Sequence, residues 1–428
     1  MSWIPTTEAE QAAMLKTIGL TSLEDLFAEL RMKDWDLPEG LSEMSVRSHI
    51  AELAARNKPG TVSFLGGGYY DHFIPAAVDA LSGRSEFYTA YTPYQPECSQ
   101  GTLQSIYEYQ SAICRLTNME YANASLYDGG TAVFEATTMA VRLTRRKRIL
   151  LHGSLNPTYK TILDTHAANL KLDIQDYETG ADLSGAACVI VQNPSFLGTI
   201  EDFTELAEQC HAAKALLVIS FYPVSLGLLK TPGEMGADIA IAEGQNLGMN
   251  LGFGGPYLGI LATRKKCVRK MPGRIAGETT DNQGRRGFVL TLQAREQHIR
   301  REKAMSNICS NQALCALRAL IHLSLLGKEG LREAATACHA KAEFLKQHIR
   351  QFAEIFNTGP TFNEFAVRLP KSATETVTAL LQQDYHAGLP LKPLGMGGDN
   401  DLLIAVTEKR TRAELEAFAS ALENTVCS

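Results

Sequence analysis

A short glycine turn between a predicted strand and a predicted helix is the feature best suited to bind an anion. The strand is predicted over residues 122–127, the helix over 132–143, and the turn consists of Asp128, Gly129, Gly130 and Thr131. Glycines at a helix start leave backbone N–H groups free at the positive end of the helix dipole, where phosphate binds readily. The Thr131 hydroxyl adds a further donor, so the turn predicts a phosphate cup. A tight turn whose glycines serve only the backbone shape is an equal alternative.

An aromatic stretch, FYTAYTPYQPE over residues 87–97, suits a pocket wall or a contact between subunits. It holds Tyr88, Tyr91 and Tyr94, two prolines that stiffen the backbone, and the terminal carboxylate of Glu97. Tyrosine rings offer a large apolar area together with a hydroxyl that can form hydrogen bonds. The alternative is a packed loop with no role in binding.

Positive charge is concentrated in a later segment of the chain, at Arg285, Arg286, Arg295, Arg300 and Arg301. Guanidinium groups can hold a carboxylate or a phosphate through two parallel hydrogen bonds. The pattern alone favours the alternative, a solvated helix face with ion pairs such as Glu296–Arg300, four residues apart.

The stretch that most constrains function is GADIAIAEGQNLGMNLGFGGPYLG over residues 236–259. The apolar run 239–242 predicts a buried strand, Gln245 and Asn246 form a turn, and a glycine-dense loop follows. In one large class of α/β enzymes, a strand, turn and glycine loop of this kind carries a lysine that binds pyridoxal phosphate covalently. This turn contains no lysine.

The elements that would position these residues form an α/β domain. Short apolar strands alternate with amphipathic helices, which predicts a mostly parallel, doubly wound sheet. The apolar runs on either side of Gly254–Gly255 could pair as one antiparallel edge. We predict a helical arm over residues 1–60, the large α/β domain over 61–326 and a smaller α+β domain over 327–428. The large domain is predicted to end with a long helix over 296–326, terminated by Gly327.

Composition excludes several classes of protein. The chain has 428 residues, 45% of them hydrophobic, and a formal net charge of −6, which gives no reason to expect a nucleic-acid or membrane partner. Its nine cysteines form no CxxC pair and its ten histidines no metal-binding motif, so we expect reduced thiols and no metal. We therefore expect a cytoplasmic protein.

Four segments closely resemble the P-protein of the glycine cleavage system. They are TAYTPYQPE (89–97), YANASLYDGGTAVFEA (121–136), GFGGPYLG (252–259) and GRIAGETTDNQGRRGFVLTLQAREQHIRREKAMSNICSNQAL (273–314). The resemblance implies the aspartate aminotransferase type (type I) of pyridoxal-phosphate-dependent transferase fold. It also implies one of two homologous halves, which are separate subunits in many bacteria. This chain resembles the N-terminal half, whereas the catalytic lysine belongs to the other half.

Two positions depart from the catalytic half of that family. Counted from Gly236–Asp238, its His-Lys pair falls on Gln245 and Asn246, and an asparagine cannot form the covalent link to the cofactor. Enzymes of this fold also end an earlier strand with an aspartate that pairs with the pyridine nitrogen. The corresponding strand, Leu216–Ser220, ends in a serine.

The resemblance implies a subunit without pyridoxal phosphate that acts with a partner subunit carrying that cofactor. The pair would decarboxylate glycine, release CO₂ and pass the aminomethyl group to the lipoyl group of H-protein. No catalytic residue is expected in this chain alone. The side chains expected to reach the partner's site are Tyr91, Thr92, Tyr94, Gln95 and Glu97, and those expected at an interface or an anion are Arg285, Arg286, Arg295 and Arg301. The turn Asp128–Thr131 would be a relic phosphate cup.

Two alternatives remain open. The chain could be a purely structural subunit that contributes no residue to the partner's site. It could also be an independent aminotransferase-like enzyme that uses Lys230 or Lys265, although both lie on the wrong side of the expected turn.

Overall fold

The computed structural model describes residues 5–30, 37–57, 60–89, 91–357 and 359–427. The chain divides into two compact units, Met1–Pro59 and Gly60–Ser428. Within the described ranges, no helix combines the length and the apolar character needed to cross a membrane. All the candidate site residues belong to the second unit.

The first unit contains helices α1 (Glu8–Ile18) and α2 (Glu43–Ala55), with a 3₁₀ segment, Glu24–Leu30, between them. Thr7 caps α1 through a capping box: its hydroxyl accepts from Glu10 N at 3.3 Å, and the Glu10 carboxylate accepts from Thr7 N at 2.7 Å. Among the described residues of these elements, none is buried, so apolar side chains such as Phe27 and Met44 lie exposed.

The second unit contains the remaining elements. Its strands are β1 (Val62–Ser63), β2 (Tyr121–Ala122), β3 (Arg148–His152), β4 (Asp173–Tyr177), β5 (Ala186–Asn193), β6 (Leu216–Phe221), β7 (Ile239–Glu243), β8 (Gly259–Thr263), β9 (Ile275–Thr280), β10 (Arg286–Thr291), β11 (Glu354–Ile355), β12 (Glu364–Arg368), β13 (Tyr385–His386), β14 (Leu389–Pro390) and β15 (Asp401–Ala405). Its helices are α3 (Ala76–Ser82), α4 (Ser85–Tyr88), α5 (Gln100–Thr117), α6 (Gly129–Thr144), α7 (Pro157–Leu170), α8 (Thr204–Ala212), α9 (Gln297–Arg300), α10 (Ala313–Ile349), α11 (Ala373–Leu381) and α12 (Arg412–Cys427).

Seven strands of the described chain form one sheet in the order β2-β8-β7-β6-β5-β3-β4. Strands β4, β3, β5, β6 and β7 are parallel, whereas β8 is antiparallel to β7 and β2 is antiparallel to β8. The predicted mostly parallel sheet is therefore confirmed. The antiparallel pairing of the two apolar runs is also confirmed, but β8 lies inside the sheet because β2 forms the edge.

The carboxyl ends of the parallel strands meet at one edge of this sheet, where open α/β sheets bind ligands. Helices cover both faces, so β6 is buried from Leu217 onwards and β7 throughout. The turn before α6 reaches this edge because Leu126 N donates to Gly259 O at 2.8 Å. The sheet thereby places the glycine turn beside the end of β7.

A smaller antiparallel sheet, in the order β11-β12-β15-β14, forms the C-terminal part of the unit. Its core includes Phe365 and Ile404 together with Leu345 of α10 and Phe418 of α12. The Phe418 ring stacks on Phe64, with the ring centroids 3.8 Å apart. Apolar packing therefore joins this sheet to the segment that precedes the large sheet.

The prediction of one continuous helix over 296–326 is wrong at its start. Helix α10 begins at Ala313, and the preceding residues form α9 and short 3₁₀ turns. The Arg295 guanidinium, which donates to Gly273 O at 3.0 Å, fastens this segment to the chain before β9, and Arg301 has a φ of 52°, which interrupts any helix. Gly327, with φ 59° and ψ −168°, separates two helical segments of α10, at the predicted end of the helix.

The strand predicted over 122–127 is also shorter than expected. Only Tyr121–Ala122 is a strand, because Ser125 has a φ of 135° and the chain turns there. Helix α6 begins at Gly129, three residues before the predicted start at Ala132. The glycine turn is thus the first turn of the helix itself.

Candidate functional site

The carboxylate of Glu243, the last residue of β7, lies at the start of α6. Its Oε2 accepts from Gly129 N at 2.9 Å, and its Oε1 accepts from Gln245 N at 2.9 Å and from Leu258 N at 3.2 Å. The side chain is buried. One carboxylate therefore joins the start of α6, the turn after β7 and the strand that returns as β8.

Two N–H groups of the predicted phosphate cup already donate to carboxylates of the chain itself. Asp128 caps α6, because its Oδ1 accepts from Thr131 N at 2.7 Å. Gly129 N donates to Glu243, as described above. Since both N–H groups already donate to carboxylates, a phosphate at this position would have to displace Glu243.

Gly129 is crowded by the side chains packed on it. A Cβ at this residue would lie 2.2 Å from Tyr159 Oη and 2.9 Å from Glu243 Cβ. No larger residue fits here, so close packing alone requires a glycine at this position. This contact is accounted for by the alternative interpretation, in which the glycines of the turn serve only the backbone shape.

A small cavity of about 30 Å³ lies at the carboxyl edge of the sheet, with room for about two water molecules. Its lining comprises Gly68, Tyr70, Asn156, Tyr159, Gln192, Pro194, Ser220, Phe221, Tyr222, Glu243, Asn363 and Glu364. Within the described part of the chain, no lysine, arginine or histidine lines it. Its ionisable side chains are therefore two carboxyl groups and three phenols.

Both carboxyl groups of the cavity are perturbed by burial. Burial raises the pKa of Glu243 to about 7, against the opposing effect of the N–H groups of Gly129, Leu258 and Gln245. Burial likewise raises the pKa of Glu364 to about 7, although Gly67 N donates to it at 2.6 Å and the Tyr70 hydroxyl at 2.9 Å. Each group is thus close to the balance between its charged and neutral forms at neutral pH.

The turn at the position of the expected lysine is a buried amide pair. Asn246 is 1% exposed, and its Nδ2 donates to Glu243 O at 3.2 Å. The Gln245 Oε1 accepts from Tyr70 N at 3.0 Å, and its Nε2 donates to Met249 O at 2.8 Å. Both side chains hold the backbone, and neither is an amine that could bind a carbonyl cofactor.

The other candidate anchors are Ser220 and the lysines Lys230 and Lys265. Ser220 of β6 is buried and lines the cavity, so this strand supplies a hydroxyl where an aspartate was expected in a cofactor-binding chain. Lys230 Nζ donates to Thr204 Oγ1 at 2.6 Å and pairs with Asp202 at 3.1 Å. Lys265 is exposed and follows the far end of β8. Neither lysine lines the cavity among the residues described, so the independent-enzyme alternative has no amine there.

The aromatic loop lies outside the cavity. Tyr91 is 79% exposed and Tyr94 is 46% exposed, and Gln95 and Glu97 are exposed as well. Thr92 is partly buried, and its Oγ1 has no hydrogen-bond partner among the described residues. The structure therefore leaves most of these side chains free to contact another molecule.

Tyr94 links this loop to the arginine-rich segment. Its hydroxyl accepts from Arg274 Nη2 at 3.2 Å, and its ring meets the His298 ring edge-on at 5.2 Å. Arg274 in turn pairs with Glu296 at 3.6 Å, and both of these side chains are buried. The two segments proposed independently from sequence thus lie side by side.

The predicted interface arginines differ in their surroundings. Arg285 and Arg286 are exposed on the β9–β10 hairpin and pair with Asp281 at 2.7 Å and Glu278 at 2.8 Å. Arg295 is buried and donates to main-chain carbonyls, which include Leu292 O at 3.0 Å and Met271 O. The Nε, Nη1 and Nη2 atoms of Arg295 each donate to a main-chain carbonyl, so this side chain holds the backbone around it, whereas Arg301 is exposed.

The glycine-dense loop beyond the lysine position carries an exposed aromatic side chain that was not predicted from sequence. Phe253 is 99% exposed and has a φ of 51°, and Leu251 beside it is 44% exposed. Gly252 N donates to Tyr257 Oη at 3.1 Å, which fixes the base of the loop. An aromatic side chain held outwards in this way is typical of a contact with another protein.

Glu243, Glu364 and Tyr159 were also missed from sequence. An acidic residue that ends a wholly apolar strand, as in IAIAE over 239–243, was a usable signal for a buried carboxylate. Glu364 lies within NEFAV and begins an apolar strand, which is a comparable signal. Tyr159 offered none, because a tyrosine in an amphipathic helix is ordinary.

Comparisons with known proteins agree over nearly the whole chain. A model of the glycine cleavage system P-protein family matches residues 1–422. A probable glycine dehydrogenase (decarboxylating) subunit 1 from Citrifermentans bemidjiense is 53% identical over 445 residues, with 100% of each chain covered. The crystal structure of an inhibitor-bound glycine decarboxylase (P-protein) of the glycine cleavage system is similar with a TM-score of 0.91 and 44% identity, over 99% of this chain and 100% of that chain.

A more distant structure shows the fold alone. An alanine–glyoxylate aminotransferase from Nostoc sp. has a TM-score of 0.59 and 15% identity, over 92% of this chain and 98% of its own. The predicted fold of the pyridoxal-phosphate-dependent transferases is confirmed by these similarities and by the mostly parallel large sheet.

Proposed function

The chain belongs to the glycine cleavage system P-protein family, and we propose that it is the subunit of glycine decarboxylase that carries no pyridoxal phosphate of its own. The homologous partner subunit would hold the cofactor. The two subunits together would release the carboxylate of glycine as CO₂ and transfer the aminomethyl group to the lipoyl group of H-protein. The cofactor, when bound to the partner, supplies the electron sink for the loss of CO₂.

The observation that carries this proposal is the buried amide at position 246. Asn246 is 1% exposed at the place where a cofactor-binding chain of this fold needs an amine. In the described chain, no lysine lines the cavity at the carboxyl edge of the sheet. A subunit of this family that has no amine at position 246 and no lysine in the cavity depends on another chain to bind the cofactor covalently.

The role of this chain would be to complete the partner's site. Tyr91, Gln95 and Glu97 are exposed and therefore accessible to a partner, and Thr92 has an unpaired hydroxyl oxygen among the described side chains. Tyr94 is held from behind by Arg274, so its ring is oriented before any partner binds. Preorganised side chains of this kind lose little entropy on binding.

The partner interface would include the exposed aromatic loop around Phe253. Leu251 and Phe253 are exposed beside each other in this loop, and neighbouring exposed apolar side chains support a contact surface. The apolar side chains of the N-terminal unit, such as Phe27 and Met44, support the same conclusion for the arm. Arg285, Arg286 and Arg301 are exposed and could meet the partner or the approaching H-protein.

A second candidate is a purely stabilising subunit that contributes no residue to the site. The position of the aromatic loop outside the cavity of this chain favours neither candidate, because the relevant site would belong to the partner. The two differ in one measurable respect: only the first requires the side chains of the loop for turnover.

Reconstitution tests the proposal. Each subunit is purified alone, the two are mixed, and glycine-dependent CO₂ release is measured with lipoylated H-protein present. The proposal predicts release from the mixture and none from this chain alone. Release by this chain in the absence of its partner would overturn the proposal.

A further inference from the structure

We propose that the Glu243 carboxylate is a permanent internal ligand of this chain, which occupies the anion position at the start of α6 and excludes phosphate esters. That the excluded phosphate ester is pyridoxal phosphate rests on the proposed function. The contacts that carry the inference belong to this chain alone. Its cavity and the cofactor of its family therefore do not fit each other.

The hydrogen bonds of Glu243 are those that a bound anion would make. Gly129 N lies at the first turn of α6, where the helix dipole favours negative charge, and it donates to Oε2 at 2.9 Å. Gln245 N and Leu258 N converge on Oε1 at 2.9 and 3.2 Å. An incoming phosphate would need these same donors, and each of them already has an acceptor.

The small volume of the cavity is a second, independent reason why the cofactor does not fit. The cavity beside Glu243 measures about 30 Å³, which is enough for about two waters and far too little for a substituted pyridine ring with its phosphate. The Tyr159 hydroxyl lies 2.2 Å from the position that a Cβ of Gly129 would take, so the helix start is covered closely. Tyr159 itself is buried and cannot swing out without opening the core.

The charges of the cavity lining also oppose the binding of phosphate. The ionisable side chains of the lining are Glu243, Glu364 and three tyrosines, and the described residues place no cation there. Burial raises the pKa of each phenol, so Tyr70, Tyr159 and Tyr222 stay neutral. A phosphate dianion would meet two carboxyl groups in a setting of low dielectric constant without a compensating positive charge.

The simpler interpretation is that Glu243 only braces the backbone and that its resemblance to a bound anion has no chemical meaning. The two interpretations predict different behaviour when the carboxylate is removed. If Glu243 is an internal ligand, Glu243→Ala leaves three N–H donors around an enclosed space that fits a small anion. If it is only a brace, the truncated site collapses and gains no affinity for anions.

Anion rescue of thermal stability separates these outcomes. Melting temperatures are measured for the full chain as wild type, Glu243→Ala, Glu243→Gln and Asp128→Ala, each in chloride, in formate and in inorganic phosphate at equal ionic strength. Asp128→Ala is the matched control, because it removes a carboxylate from the same helix start without opening the enclosed position. The general salt effect is read from the wild type.

The proposal predicts that formate and phosphate raise the melting temperature of Glu243→Ala by about 5 °C more than that of the wild type. The melting temperatures of Glu243→Gln and Asp128→Ala should rise in these anions only as much as that of the wild type. An equal increment in wild type and Glu243→Ala would overturn the proposal. So would saturable binding of inorganic phosphate to the wild-type chain in a calorimetric titration.

Should Glu243→Ala fail to fold in chloride, refolding yield becomes the readout. Recovery of folded Glu243→Ala in formate supports the proposal, and failure to recover in formate or phosphate contradicts it. Neither measurement uses glycine turnover, so a failure here is distinct from a failure of the proposed function.

Discussion

The Tyr94 hydroxyl accepts a hydrogen bond from Arg274 at 3.2 Å, and this contact ties an exposed aromatic loop to a buried ion pair. Arg274 lies directly before β9 and pairs with Glu296, the residue before α9. The loop and the arginine-rich segment therefore form one surface, with Tyr94 at the point where they meet. In the proposed function, this surface contacts the partner subunit and completes its site.

Replacement of Tyr94 tests whether the surface takes part in turnover. We expect Tyr94→Ala to lower glycine-dependent CO₂ release of the reconstituted pair by at least about tenfold, because an oriented ring at a site contributes about 1.4 kcal/mol or more. Tyr88→Ala, an exposed tyrosine of α4 outside the candidate set, is the control. Unchanged release by Tyr94→Ala in an assembled pair would favour the purely stabilising subunit.

The Arg274–Glu296 pair should be important for stability. We expect Arg274→Ala to lower the free energy of unfolding by about 3 kcal/mol, because it removes the nearer ion-pair partner of the buried Glu296 carboxylate and leaves His298, at 3.9 Å, as the remaining one. Arg286→Ala should cost less than about 1 kcal/mol, since its pair with Glu278 is exposed. Urea titrations of the two variants provide the comparison, and equal losses would show that burial does not distinguish the pairs.

Glu364 should make the stability of the chain depend on pH. Its pKa in the folded protein is raised from 4.5 to about 7, so the folded state binds the proton more tightly than the unfolded state. Its contribution to stability is therefore complete below pH 4.5 and is lost as the pH rises through 7. The shift corresponds to roughly 3 kcal/mol.

Glu364→Gln isolates this effect. The amide can still accept from Gly67 N and donate to the Tyr70 hydroxyl, but it does not titrate. The stability of the wild type relative to Glu364→Gln should fall between pH 5 and pH 8, measured by denaturant titration at each pH. A difference that stays constant, or that rises with pH, would contradict the assigned burial.

Phe253 should contribute to assembly of the pair. Its fully exposed ring would become buried at the interface, and exposed aromatic anchors commonly account for about 2 kcal/mol or more of binding. We therefore expect Phe253→Ala to weaken association with the partner by at least about tenfold, measured by sedimentation of the mixed subunits. Leu170→Ala, at another exposed apolar residue at the end of α7, should leave the affinity unchanged. Equal affinity of both variants would place the interface elsewhere.

The sheet could be predicted from the sequence because the signals for its strands and helices are local. Buried parallel strands appear as short apolar runs such as 239–242, and helices between them follow from amphipathic spacing. The departure at Asn246 was also readable, since a single position decides whether an amine is present. The antiparallel return into β8 followed from two apolar runs separated by a glycine loop.

The features that the sequence did not reveal depend on distant contacts. Glu243 is paired with Gly129, which lies 114 residues away in the chain, and no local pattern connects them. The helix expected from Glu296 fails for a similar reason, because Arg295 is bound to main-chain carbonyls near residue 273 and this fixes an irregular backbone. In both cases a tertiary contact overrides the local preference.

The location of pyridoxal phosphate in the assembled pair distinguishes a subunit without the cofactor from one that binds it. The complex is loaded with pyridoxal phosphate, reduced with borohydride, and both chains are digested and examined by mass spectrometry. We expect a pyridoxyl-modified lysine in the partner subunit and none in this chain. A stoichiometric modification of Lys230, Lys265 or any other lysine of this chain would contradict it.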